Sequence, residues 1–222
     1  MLVISAEEVL LVQVLMLDNH LLAADKPGGL LTQPSGSSED SLETQAKAWL
    51  KEEFHRPGNV FLEAVHRIDK PVCGIVLFAR SSKGLSRMNQ AVREGLVRKV
   101  YRARVEGRVK HSNGHLENFL MHDEYRARVV PAAVPEARLA CLSYKVLEAG
   151  ENASLLEIVL ETGRYHQIRV QLAHLGHPIL GDVKYGSKLP WKKDTIALQH
   201  FQLTFPHPVG GREMTLQSKF TL

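Results

Sequence analysis

The chain is short of cysteine, of net charge and of long apolar runs, and each shortage removes a class of protein. Two cysteines in 222 residues, Cys73 and Cys141, are too few for a disulfide framework or a zinc site made of thiolates, so a reducing compartment is expected. No window approaches 18 uninterrupted apolar residues, which excludes a membrane-spanning helix. The opening MLVISAEEVLLVQVLMLDNH is broken by Glu7, Glu8 and Gln13 and lacks a positive leader; it is read as folded protein, not as a signal peptide. The net charge of +4 is compatible with a polyanionic partner without demanding one. There are no internal repeats and no low-complexity tract.

What is present fits one large or two modest domains with a real core: 44% of residues are apolar and 23% charged, an ordinary globular balance. The charges are unevenly spread. Arg93, Arg98, Lys99, Arg102, Arg104, Arg108 and Lys110 form a basic stretch, while Glu39, Asp40, Glu43, Glu52, Glu53 and Glu63 gather the acids elsewhere. Arginine-rich strands of this kind suit phosphate contacts.

The stretch Glu63 to Arg80, EAVHRIDKPVCGIVLFAR, concentrates the chemistry. His66, Arg67, Asp69 and Lys70 stand just before the apolar run Ile75 to Ala79, which reads as a strand buried on both faces. A polar cluster at the mouth of a core strand is either a loop with an internal ion pair or a rigidly held active site. Along the rest of the chain, Leu10 to Leu17 and Leu21 to Ala24 read as strands around the turn Asp18 to His20. Asp25 to Ser41 reads as a structured loop, and Leu42 to Phe54 as a helix capped by Ser41. Ser81 or Ser82 caps a second helix to about Glu94.

Val97 to Val105 alternates as a strand with Lys99, Tyr101, Ala103 and Val105 on one face and Arg98, Val100, Arg102 and Arg104 on the other. Candidate strands follow at His115 to Leu120 and Tyr125 to Val130, and a hairpin at Cys141 to Leu147 and Ala153 to Leu160. A third helix is expected over about Arg164 to Leu175, capped by Thr162 and closed by Gly176 and Pro178. Arg169 lies on its core-directed stripe and should have a carboxylate partner, for which Asp69 is a candidate. Ile196 to Phe205 and Glu213 to Gln217 close the sheet. Strands outnumber helices about threefold with few strand–helix–strand units, which favours α+β over a doubly wound fold.

Several separated stretches resemble one family, the RluA-type pseudouridine synthases. HRIDKPVCG (His66 to Gly74) resembles the family's aspartate motif H-R-L-D-x-x-T-S-G, and RKVYRARVEG (Arg98 to Gly107) its tyrosine motif. TGRYHQIRVQLAHLGHPILGD with KYG is similar to its T-G-R-x-H-Q-I-R block, and DKPGGLLTQP and LQHFQLTFPHP to its N-K-P and closing segments. The resemblance covers about residues 12 to 218. It implies an α+β pseudouridine synthase fold, a large mixed, mainly antiparallel sheet with flanking helices and a central cleft.

The expected organisation is a single catalytic domain over 1–222, open to division into two subdomains around the cleft, without a separate amino-terminal RNA-binding domain. The implied catalytic residues are Asp69, Tyr101 as the ring that stacks on the target base, and Arg169 paired to the aspartate. Arg67 resembles the arginine that helps displace that base. Lys26, Arg102, Arg104 and Arg164 are candidates for RNA phosphate contacts. No metal or organic cofactor is implied; the partner is structured RNA, ribosomal ahead of transfer RNA. Cytoplasmic location and a monomer are the defaults.

The sequence departs from the pattern at Val72 and Cys73 for Thr-Ser, at Gln171 and Gln33 for His, and at Asp25 for Asn. Two rivals stand beside this reading. One is an RNA-binding protein of the same fold without activity. The other is a hydrolase, but no second acid matches Asp69 as a glycosidase would need. His111, His115 and His122 lack a firm metal-ligand pattern and are read as solvated.

Overall fold

The computed structural model describes residues 12–36, 39–55 and 57–222; the segment over residues 1–11, including the start of the strand expected from Leu10, lies outside them. Strand β1 (Gln13–Leu17) returns as β2 (Leu21–Lys26) through a turn in which the Asp18 carboxylate accepts from the His20 and Leu21 N–H groups. Helix α1 (Leu42–Glu53) is capped by Ser41, whose hydroxyl accepts from Thr44 N–H, and it buries Leu42, Ala46 and Leu50. After β3 (Glu63–Ala64) and β4 (Cys73–Ala79), Ser81 caps α2 (Ser82–Arg93) in the same way. These caps each satisfy an amide that the first helical turn leaves open, typically worth about 1 kcal/mol.

Strands β5 (Arg98–Glu106), β6 (Asn113–His122), β7 (Ala127–Val130), β8 (Arg138–Ala149) and β9 (Ala153–Leu160) lead to α3 (Gln167–His174), and β10 (Leu198–Pro206) and β11 (Glu213–Gln217) follow. Among the described residues the strands make one sheet in the order β1-β2-β4-β10-β5-β9-β8-β6-β7, with β3 on β4 and β11 on β10. Among the described strands only β4 and β10 run parallel, where Cys73 and Gly74 meet Gln199 and His200. The sheet is thus mixed and mainly antiparallel, as expected for α+β.

The continuous apolar run of β4 has a direct cause. Val76 and Phe78 point into the larger core with α1, while Ile75, Leu77 and Ala79 point into a second core with Met88 of α2 and Phe205 of β10. Both faces of the strand are covered, so the usual in–out alternation disappears. Gly74 is required by the join to β10: its φ is +116, and a Cβ there would lie 2.4 Å from the His200 carbonyl oxygen. Any side chain would force the two strands apart.

One expected helix start is wrong. The third helix begins at Gln167, not at Arg164, and His166 stands before it with φ 52 in the left-handed region. Thr162 is not its cap. The Thr162 hydroxyl instead accepts from Cys141 N–H and bonds the Gln167 side-chain oxygen, so the residues before α3 are tied to β8.

Candidate active site

Asp69 sits in a turn directly before β4, between Ile68 and Val72, both packed into the larger core. The turn is held from several sides. Val72 N–H donates to the Asp69 carbonyl at 3.0 Å, Gly29 N–H to the Lys70 carbonyl at 2.8 Å, and the Thr32 hydroxyl to the Ile68 carbonyl at 2.8 Å. Asp25 and Lys26 of the expected loop belong to β2, and the described residues 27–36 that follow brace the aspartate through Gly29 and Thr32.

Lys26 belongs to this brace and not to an RNA-facing surface, which corrects its assignment as a phosphate contact. It is fully buried, and its Nζ donates to the carbonyls of Pro27, Leu30 and Lys70 at 2.9, 2.6 and 3.1 Å. Burial draws its pKa down to about 7, while three acceptors, one for each ammonium proton, hold the charge.

The Asp69 carboxylate, 28% exposed, receives Arg169 Nη1 on Oδ2 at 2.9 Å. The guanidinium is itself fixed from the other side: Nε and Nη2 donate to the two oxygens of Asp182 at 2.7 and 2.9 Å, and Asp182 is buried. This fork-to-fork pair is the strong geometry for arginine and carboxylate. Burial opposes the charge on Arg169, but the Asp182 bonds and then Asp69 outweigh it and push its pKa up.

His166 supplies the second contact, its Nε2 lying 3.4 Å from the same Oδ2. The Tyr185 hydroxyl accepts from Ala127 N–H and lies 2.8 Å from His166 Nδ1. The hydroxyl proton is then free for Nδ1, which leaves Nε2–H facing the carboxylate. Burial pulls the His166 pKa down to about 4, so the ring is neutral at neutral pH. Both contacts fall on Oδ2, and Oδ1 has no hydrogen-bond partner among the described residues.

Tyr101 is buried on the β5 face that looks into the larger core. His200 stacks on its ring at 4.6 Å between centroids, 16° from parallel, and His66 meets His200 edge-on at 5.1 Å. Burial, then the Asp69 charge, raise the Tyr101 pKa, so its hydroxyl keeps its proton. The His200 Nδ1–H donates to the Ile75 carbonyl at 2.7 Å, and burial lowers its pKa to about 3. Burial likewise holds His66 well below the usual histidine range.

Arg102 and Arg104 are not brought to this site. They occupy the opposite face of β5 from Tyr101, with Arg102 3.5 Å over the Phe201 ring and Arg104 3.3 Å from Glu148. Their place in the strand was read correctly, but a contact with RNA held at Asp69 is not what that face offers. Arg67 and Arg164 are exposed beside the site, Arg164 also donating through Nε to the Leu139 carbonyl. Sequence reasoning missed His166 and Asp182 as site residues. Both lie inside the quoted T-G-R and L-G-D stretches, and a buried arginine with room for two acceptors was the signal for the second acid.

Two of the departures from the motif, Cys73 and Asp25, have local explanations. Cys73 replaces a hydroxyl and donates through Sγ to the Leu198 carbonyl at 3.7 Å, its thiol pushed up to about 11 by burial. Asp25 accepts from the Ser218 hydroxyl and Lys219 N–H, fastening the carboxy-terminal segment to β2. A cleft of about 540 Å3 adjoins the site; Arg169 and Asp182 are in its wall together with Lys184, Lys188, Trp191 and Lys192. The expected pair of Asp69 and Arg169 is present.

Comparison with known proteins now decides the family. The RNA pseudouridylate synthase family matches residues 20–174. The chain belongs to it. Relatives place it in the RluA-type branch. The chain is 32% identical over 205 residues to the dual-specificity RNA pseudouridine synthase RluA of Haemophilus influenzae, covering 91% of this chain and 90% of that one. It is 30% identical to RluA of Vibrio cholerae over 200 residues, 89% and 78% of the two chains. It is also 28% identical to the ribosomal large subunit pseudouridine synthase D of Zymomonas mobilis over 225 residues, 91% and 67%. Human RNA pseudouridylate synthase domain containing 4 shares the fold with a TM-score of 0.78 at 22% identity, covering 94% of this chain and 88% of that one. The protein is thus an RNA pseudouridine synthase, an isomerase. No helix among the described residues is long and apolar enough to cross a membrane.

The three histidines around this RluA-type site make its stability sensitive to acid. Each is held neutral when folded, with a proton affinity below the ordinary value of 6.5. The unfolded chain therefore binds more protons as pH falls, so stability is complete above about 6.5 and declines through the interval down to about 4 for His166 and about 3 for His200. The expected slope is up to about 1.4 kcal/mol per pH unit for each histidine. Urea-unfolding midpoints measured from about pH 7.5 to about 5 should fall accordingly; a flat midpoint would contradict neutral burial of these rings.

Proposed function

We propose that this synthase isomerises specific uridines in structured RNA, ribosomal RNA ahead of transfer RNA, with Asp69 as the essential carboxylate and without a cofactor. The observation that carries the reading is a partly exposed carboxylate oriented through one oxygen by Arg169, whose guanidinium also lines the adjoining cleft. The reaction breaks the N1–C1′ bond, turns the uracil and joins C5 to C1′; C5 gives up a proton and N1 gains one, with no net oxidation or hydrolysis. A pre-oriented, ionised Asp69 can attack C1′, add to C6 or take the C2′ proton, and all three require the charge that Arg169 favours.

Access requires the nucleotide to leave its stack, at a cost of a few kcal/mol. Exposed Arg67 is suited to fill the vacated place. Tyr101, backed by His200, is the proposed surface for the loosened base, where stacking contributes about 1–3 kcal/mol. Arg164 and the lysines of the cleft are the proposed phosphate contacts. The ribosomal preference draws on the relative from Zymomonas mobilis, whose name specifies the large ribosomal subunit. A cytoplasmic monomer, folded as one catalytic domain around the cleft, is part of the proposal.

The test is to map pseudouridines in total RNA from cells with and without the gene. One or a few uridines, in ribosomal RNA foremost, should lose modification and regain it with the parental gene. An unchanged map would refute RNA isomerisation as the cellular function; sites lost only from transfer RNA would overturn the ribosomal preference.

A further inference from the structure

Away from Asp69, three side chains of different chemistry converge on one face of the sheet. His115 on β6, Cys141 on β8 and Glu161 just beyond β9 present ligand atoms that all lie within 4.8 Å of one another. The convergence follows from register. His115 pairs with Ser143 and Glu117 with Cys141, so His115 and Cys141 are diagonal neighbours on the same face. Glu161 N–H donates to the Cys141 carbonyl, which continues that register to the third strand. His115 Nε2 is already 3.2 Å from Glu161 Oε2, and the Ser143 hydroxyl holds the other Glu161 oxygen at 2.6 Å.

We propose that His115, Cys141 and Glu161 form a binding site for one zinc-like divalent cation, separate from the isomerisation site. One nitrogen, one sulfur and one carboxylate oxygen are a donor set suited to a borderline-soft ion. Metal–ligand bonds of about 2.0–2.3 Å put tetrahedral donors about 3.3–3.8 Å apart, a closure that the exposed His115 and Glu161 side chains reach by small rotations. A thiolate and a carboxylate balance the two positive charges, and the thiol proton passes to solvent. The Glu117 carboxylate, directly across the ladder from Cys141, or water completes the shell.

The position gives the site a consequence. The Cys141 carbonyl accepts from Thr162 N–H and from the Gln167 side chain, the segment leading into α3 with His166 and Arg169. A cation across β6, β8 and Glu161 would tighten that segment.

The test is titration of the full chain with Co2+ as probe, followed by Zn2+. One equivalent of Co2+ should produce a thiolate-to-cobalt charge-transfer absorption that one equivalent of Zn2+ removes. Cys141→Ser should lose the absorption, Cys73→Ser should keep it, and His115→Ala, at an exposed side chain, should bind at least about tenfold more weakly. No absorption in the parent, its survival in Cys141→Ser, or unchanged affinity in His115→Ala would overturn the site.

Discussion

Asp69→Asn is expected to lower pseudouridine formation by at least about 10^4-fold, the scale seen when a reacting group itself is removed, while RNA binding changes only a few-fold. The substitution keeps the size of the side chain and an oxygen for Arg169 Nη1, and Asp69 is not needed to neutralise a buried site, since Asp182 already holds two of the guanidinium nitrogens. What disappears is the charge and the basicity of the oxygen that Arg169 leaves unbonded. Single-turnover formation of product and filter binding on the same RNA separate the two effects. Near-parental turnover would take Asp69 out of the chemistry; loss of binding in parallel with turnover would make it a binding residue instead.

Arg169→Ala is expected to cost about 3–5 kcal/mol of stability, because it leaves the buried Asp182 carboxylate without its partner. For a chain of this size that corresponds to a fall of roughly 10 °C in thermal midpoint. Turnover should collapse as well, since Asp69 loses its closest anchor. The double variant Arg169→Met with Asp182→Leu distinguishes the causes: it removes both charges, should recover much of the stability and should remain inactive. A single variant as stable and active as the parent would contradict the central role of this guanidinium.

The parts legible in the sequence are those with local causes. The Ser41 and Ser81 caps, the alternation along β5 and the doubly buried run of β4 each leave a pattern within a dozen residues, and each element lies where its pattern put it. The pairing of Asp69 with Arg169, 100 residues apart, was legible because a charge on a core-facing stripe demands a partner, and because the family resemblance implies the same pair. Long-range competition hid the rest. Thr162 has the right chemistry for a helix cap, yet β8 claims its hydroxyl. Lys26 looks like a surface cation in a Gly- and Pro-rich loop, yet three carbonyls converge on it. Arg102 and Arg104 were placed on the correct face of their strand, but period-2 reasoning cannot say which face looks toward the site.

The parallel join at Gly74 also dictates an order of assembly. β2 and β3 can pair with β4 early in synthesis, but the start of β4, at Cys73 and Gly74, is joined by β10, and the His200 bond to Ile75 spans 125 residues. Until that late strand emerges from the ribosome, the Cys73 to Ile75 end of β4 lacks its second neighbour and stays open to other chains. The nascent protein therefore passes through a stage dependent on slow, non-local closure, and Asp69 gains its anchors Arg169 and His166 only as the last third of the chain arrives.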